Sequence, residues 1–351
     1  MIKTSNFSSH FIDNNGVKIH AVSQGEGPLV LMVHGFPGLA YSWRHQMRPL
    51  AEAGFQAVAI DCRGYGKSDR PSDPSAYDAN VFTSDLLAVI NYFGAEKAAL
   101  IGQDFGAQHS WNLAVRRPER VVGVIGMVPY DMDLAGRALE GSKGITENSA
   151  AMAGNSIPPS ERFAVMGKEN FVHVHYFQQV GVPEKELGDE PYRLLQTLFW
   201  ALSAEGDLLS AYTKPAAGNG YLDVLPAAPP LPWSWMSELE MNHFVEAFTH
   251  ADPDKSFIGG LNSYRTADVN WRIGEKWADA DVPVPAAVIV GEADPVLKVI
   301  DPAWQDKMAS RCDDLRFIDF IPGAGHCVQQ ESPAATTASI LNFLRGLDRW
   351  S

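Results

Sequence analysis

The chain has 351 residues, 46% of them apolar, which is enough for one large α/β core or a core carrying an inserted subdomain. A formal net charge of -14, with no Lys/Arg-rich patch, argues against a nucleic-acid partner and points to small-molecule work. Cys62, Cys312 and Cys327 are odd in number and lack C-x-x-C spacing, so neither a disulfide framework nor a zinc site is indicated and a reducing compartment is expected. The opening stretch MIKTSNFSSHFIDNNG has no apolar targeting region, and no apolar run reaches the roughly 18 residues of a membrane span. A cytoplasmic protein with no membrane partner is the expectation.

In chain order, the residues around Asn14-Asn15-Gly16, with Val17, Ile19 and Ala21 alternating after it, predict a β-hairpin with a tight turn. The run Pro28 to Val33 has the composition of a strand buried on both faces of a parallel sheet, and it ends at His34-Gly35-Phe36-Pro37-Gly38. A second buried strand, Phe55 to Ile60, is followed by the polar, glycine-punctuated loop Asp61 to Asp69. Val81, Phe82, Leu86, Val89, Ile90 and Phe93 recur at helical spacing, with Gly94 as C-cap. A strand through Ala99-Leu100-Ile101, a helix to about Arg117 and a strand Val121 to Val128 continue the alternation, which favours a doubly wound, mostly parallel sheet.

From about Asp131 to Trp271 the alternation stops, and aromatic, Met, Pro and Gly residues mix with helical patterns that have no buried strand between them. The expected organisation is therefore a first core segment over 1–130, a mainly helical lid over 131–271 and a second core segment over 272–351. Strands resume at Val284 to Val290, ending in Gly291-Glu292-Ala293-Asp294, and at Leu315 to Ile321, ending in Gly323-Ala324-Gly325-His326. A last helix carries Ile340, Leu341, Phe343 and Leu344.

The stretch Gly102-Gln103-Asp104-Phe105-Gly106 has the form of a nucleophile elbow with aspartate where serine is usual. A carboxylate nucleophile attacks an sp3 carbon and leaves an ester that water must cleave. The alternative is an ordinary aspartate capping the next helix. Asp104, Asp294 and His326 each follow a predicted strand, at the sheet edge where active sites of open α/β sheets form. They also run in the chain order nucleophile, acid, histidine of an α/β-hydrolase. In that fold the loop at His34 to Gly38 supplies one backbone N–H of the oxyanion hole.

On these residues the chain resembles an epoxide hydrolase of the α/β-hydrolase superfamily over nearly its whole length. The segments that carry the resemblance are HGFPG at His34, DCRGYGKSDRP from Asp61 to Pro71, GQDFG, Tyr176-Phe177-Gln178-Gln179-Val180-Gly181, and Gly259-Gly260-Leu261-Asn262-Ser263-Tyr264-Arg265 with Asn270-Trp271. The resemblance implies Asp104 as nucleophile, His326 as general base, Asp294 orienting the histidine, Tyr264 as a ring-opening donor, and the amides of Phe36 and Phe105 as the oxyanion hole. The family's second lid tyrosine falls on His173, a pairing like that of the subgroup typified by the cystic-fibrosis-conductance-regulator inhibitory factor. Alignment on Gly167-Lys168-Glu169 selects His175 instead. The H-x-H spacing also evokes a metal, but no third ligand stands nearby in sequence.

Gln103 replaces the family's usual histidine, and no role for it follows from the sequence. Phe105 stands where haloalkane dehalogenases have a tryptophan and fluoroacetate dehalogenases an arginine, which counts against the dehalogenase alternative using the same Asp104, Asp294 and His326. A non-catalytic ligand-binding protein is the remaining alternative. The implied partners are a small-molecule epoxide and water, with no nucleic acid, no cofactor and no metal, and with a homodimer compatible.

Overall fold

The computed structural model describes residues 7–130, 157–250, 255–278, 280–300, 302–348 and 350. Strands β1 (Ser8–Asn14) and β2 (Val17–Gln24) form the opening hairpin. Its turn residues Asn15 and Gly16 both have positive φ (56° and 81°), the twist that a two-residue hairpin loop requires. The remaining strands are β3 (Leu29–Val33), β4 (Gln56–Asp61), β5 (Ala98–Gly102), β6 (Val121–Gly126), β7 (Ala286–Gly291) and β8 (Leu315–Ile321). They make one sheet in the order β1-β2-β4-β3-β5-β6-β7-β8, antiparallel through β1-β2-β4 and parallel from β4 to β8.

The two-residue period of a strand divides the core between the two faces of this sheet. Leu29, Leu31 and Val33 join one apolar cluster with Phe82, Leu86 and Val89 of the helix Ala79–Tyr92 and Trp111 of the helix Phe105–Arg116. Val30 and Met32 join the other, with Met47 and Leu50 of the helix Arg44–Glu52 and Ile340, Phe343 and Leu344 of the helix Pro333–Arg345. Strand β8 closes the sheet at one edge and is correspondingly less buried than β3, β5, β6 or β7. Strand β7 begins at Ala286 rather than at Val284, because Pro283 and Pro285 cannot donate to a ladder.

Between β6 and β7 every described element is helical or 3-10. Residues 131–156 of the expected lid lie outside the described residues. The expected boundary at 271 falls inside the helix Ala267–Gly274, and helical structure carries on through Glu275–Trp277. Within the lid the helices Pro191–Leu202 and Glu238–Thr249 pack through Phe199 and Phe244, whose ring centroids are 4.9 Å apart.

Polar contacts tie this layer to the core. Arg44 Nε donates to Glu240 at 2.9 Å, Arg70 donates to the carbonyls of Phe248 (2.6 Å) and Ala247 (2.8 Å), and the Ala79 amide donates to Asn270 Oδ1 at 2.8 Å. The DCRGYGKSDRP segment is thus largely architectural. Asp61 accepts from the Ala40 amide (2.9 Å), the Lys67 amide (3.1 Å) and His20 (2.8 Å), while Arg63 makes a bidentate pair with buried Asp85.

Candidate active site

Four strands deliver their following residues to one edge of the sheet: β3 leads into His34-Gly35-Phe36, β5 into Gln103-Asp104, β7 into Asp294 and β8 into His326. Asp104 sits at φ 53°, ψ -125°, a conformation that an L-residue holds only when its surroundings enforce it. The two flanking glycines make this possible by close backbone approach. A Cβ on Gly102 would run into the backbone of Gly106 and Ala107, and one on Gly106 into the carbonyls of Val33 and His34.

Asp104 occupies the N-cap position of the helix Phe105–Arg116, yet its side chain makes no capping bond. The helix-cap explanation of this residue therefore fails. Its Oδ1 accepts from the Phe36 amide at 2.9 Å, and the carboxylate also accepts from the Phe105 amide. Its Oδ2 faces His326 Nε2 at 3.5 Å, and His326 Nδ1 lies 2.9 Å from Asp294 Oδ2. Asp294 Oδ1 is held in turn by the Val296 amide at 2.8 Å. The structure thus brings Asp104, His326, Asp294 and the Phe36 and Phe105 amides into one chain of contacts.

Electrostatics follow from that geometry. Burial by itself would raise the Asp104 carboxyl, but the His326 ring and the two amides outweigh it and hold the group below its ordinary value. Burial would likewise lower His326, but Asp294 and Asp104 together lift it well above the usual histidine range. Carboxylates on both sides of the buried ring therefore favour a proton on His326. With Asp104 uncharged, the imidazolium would lose one of its two counter-charges.

The main chain around His326 is fastened as tightly as its ring. Its amide donates to the Leu202 carbonyl at the end of a lid helix (2.9 Å), and its carbonyl accepts from Gln103 Nε2 (3.3 Å). Gln103 therefore links the elbow to the histidine loop. Glu331, largely buried, accepts from the amides of Ala204 (2.9 Å), Gly325 (2.8 Å) and Cys327 (3.0 Å), so that one carboxylate spans lid and histidine loop. Sequence reasoning missed Glu331, since nothing in Gln329-Gln330-Glu331 marks it beyond its closeness to His326.

The lid contributes an aromatic cluster over Phe105. Tyr264 meets Phe105 edge-on at 4.8 Å between ring centroids, and His173 meets Tyr264 edge-on at 5.2 Å. Burial raises the Tyr264 hydroxyl well above its ordinary value, with the charge of Asp104 adding to the effect. Burial pulls His173 down to about 4, against the opposing influence of Asp104, so its ring is neutral near pH 7. Tyr212 and Tyr221, neither singled out from the sequence, complete the surroundings of His173. They carry no local pattern that separates them from other lid aromatics.

His175 lies elsewhere. It shares the one-turn helix His173–Tyr176, where residues two apart point to nearly opposite sides. It packs on Gly167 and lines a separate cavity of about 130 Å³ with Phe171 and Tyr176. The H-x-H spacing therefore does not converge on one point. Among the described residues no group of three or more His, Cys, Asp or Glu is placed to hold a metal ion, and no helix is long and apolar enough to cross a membrane. The three cysteines are buried and free.

Fold and site together define a hydrolase of the α/β-hydrolase type, and the family model for the alpha/beta hydrolase fold matches residues 28–144. The chain is 36% identical over 345 residues to Epoxide hydrolase A of Mycobacterium tuberculosis (strain ATCC 25618 / H37Rv), covering 97% of this chain and 98% of that one. It is 31% identical over 350 residues to Epoxide hydrolase of Caballeronia sordidicola, covering 98% and 96%. Among solved structures, Epoxide Hydrolase A from Mycobacterium thermoresistibile superposes with a TM-score of 0.81 at 36% identity, over 97% of this chain and 99% of that one. An epoxide hydrolase from an endophytic Streptomyces also gives 0.81, at 30% identity, over 97% and 96%. The chain belongs to the epoxide hydrolase family of α/β-hydrolase-fold proteins.

Proposed function

We propose that the protein converts a small-molecule epoxide to a vicinal diol through a covalent ester on Asp104. The observation that carries this reading is the Asp104 carboxylate itself. It is held by two amides on a strained elbow, makes no structural capping bond, and stands 3.5 Å from His326.

In this reading Asp104 attacks a ring carbon while Tyr264 and His173 donate hydrogen bonds to the ring oxygen as its bond to that carbon breaks. An alkoxide leaves only if its charge is stabilised as it develops, and donors fixed in a buried site do this without reorganising. Forming the ester removes the negative charge of Asp104. His326 then has only Asp294 as counter-ion, its affinity for the proton falls, and it becomes competent as a general base.

Water gives its proton to His326 and attacks the ester carbonyl. The Phe36 and Phe105 amides, which cradle the free carboxylate, are placed for the oxyanion of the tetrahedral species. Collapse expels the diol and restores the carboxylate. The alkoxide takes up the proton that His326 releases once the ester has formed, passed on through the Tyr264 hydroxyl or solvent. Water returns one to His326 during ester hydrolysis, so the cycle closes on the imidazolium with water as the co-substrate.

The test is a panel of epoxides scored for diol, run beside haloalkanes and haloacetates scored for halide, with Asp104→Ala as control. Diol formation that Asp104→Ala abolishes is the expected result. Halide release without any diol would select a dehalogenase, and ligand binding without turnover a binding protein.

A further inference from the structure

A tyrosine in the second lid position has one hydroxyl proton to offer, whereas a neutral histidine donates from only one of its two ring nitrogens. Which nitrogen carries the proton is decided by the partner of the other. For His173 that partner is visible. Tyr212 Oη lies 2.9 Å from His173 Nδ1, with the two rings nearly parallel at 20° and their centroids 5.8 Å apart.

Three features make Tyr212 the donor and Nδ1 the acceptor. Among the described residues, Nδ1 is the one hydrogen-bond partner of the Tyr212 hydroxyl, so an Nδ1–H tautomer would leave the half-buried phenolic proton without a protein acceptor. Both groups are neutral near pH 7, because burial pulls His173 down to about 4 and raises Tyr212. A phenol is also the better donor of the two and an imidazole nitrogen the better acceptor. Nε2 has no protein partner among the described residues and is left as the ring's one N–H, on a ring that meets Tyr264 edge-on at 5.2 Å.

We infer that Tyr212 is a positioning residue that fixes the Nε2–H tautomer of His173, so that a histidine serves where a tyrosine would need no such partner. The catalytic half of this inference rests on the proposed role of His173 in ring opening. The tautomer itself does not.

The experiment uses full-length protein labelled with 15N-histidine, with the His173 ring assigned by loss of its signals in His173→Gln. Two-bond 1H–15N correlations should report the Nε2–H tautomer in the wild type. In Tyr212→Phe that preference should weaken by about tenfold, the population change one hydrogen bond of ordinary net strength supports. First-turnover ester formation should slow with it, while ester hydrolysis is unchanged. In a His173→Tyr background, Tyr212→Phe should leave ester formation unaffected, since no tautomer remains to be fixed.

An Nδ1–H tautomer in the wild type, or an unaltered tautomer in a folded Tyr212→Phe, overturns the inference. An equal loss of rate in both backgrounds would assign Tyr212 a packing role and overturn it too. If the wild type opens no epoxide, the proposed function falls, and the spectra still decide whether Tyr212 governs His173.

Discussion

Replacing His326 by glutamine separates the two chemical steps, and the geometry sets what each should lose. The proposed base, His326, stands 3.5 Å from the Asp104 carboxylate, and removing a positioned general base costs about 10²–10⁴-fold in the step it serves. That step is ester hydrolysis. Ester formation keeps the Phe36 and Phe105 amides but loses the cation that offsets burial, so the Asp104 carboxyl should rise from its depressed position. A raised carboxyl is protonated over more of the acid range, so in the variant ester formation should accelerate as pH rises through the new value.

With excess epoxide, intact-protein mass spectrometry of His326→Gln should show an adduct equal to the whole substrate mass, because ring opening expels no leaving group. The adduct should map to the peptide containing Asp104 and be missing from Asp104→Ala/His326→Gln. A dehalogenase substrate would add only its alkyl part. Unmodified His326→Gln that still releases diol at the wild-type rate would refute the covalent route.

Further outcomes follow from the same contacts. Tyr264→Phe should slow ester formation by about a hundredfold or more, the usual cost of one lost donor. In a rapid-quench measurement of ester formation, His173→Ala should slow that step and His175→Ala should not, and a sensitive His175 would reverse the lid assignment. Glu331→Ala strands the amides of Ala204, Gly325 and Cys327 and should cost at least about 2 kcal/mol in urea unfolding, with ester hydrolysis hit harder than ester formation; a neutral result would mean that water replaces the carboxylate.

Asp104→Asn tests the ion pair by pH. His326 is raised on folding, so its share of stability is full below its ordinary value of 6.5 and is lost as pH rises through the folded value. Asp104 is depressed, so its share is present above 3.8 and is lost as pH falls through the folded value. The stability difference between wild type and Asp104→Asn should therefore peak between these values and shrink at alkaline pH. A difference that does not vary with pH would rule out the buried imidazolium.

Much of this molecule is legible in one dimension because local physics writes it there. Unbroken apolar runs mark β3, β5, β6 and β7, since a strand covered on both faces has no polar side to display. Asn15-Gly16 marks the hairpin because both residues must take positive φ. The elbow glycines announce Asp104, and the ends of β7 and β8 announce Asp294 and His326, because the edge of an open sheet is fixed once the strands are known.

Other features exist only after the chain is folded. His173 and His175 are two residues apart and chemically identical. Only a helix turn that sends one toward Tyr264 and the other toward Gly167 separates them. Gln103 acquires a partner in the His326 carbonyl, Glu331 in three amides from two segments, and Tyr212 in a ring nitrogen 39 positions away. Each of these depends on a hydrogen bond between groups far apart in sequence, whose strength is set by distance and burial. Tertiary packing alone supplies both.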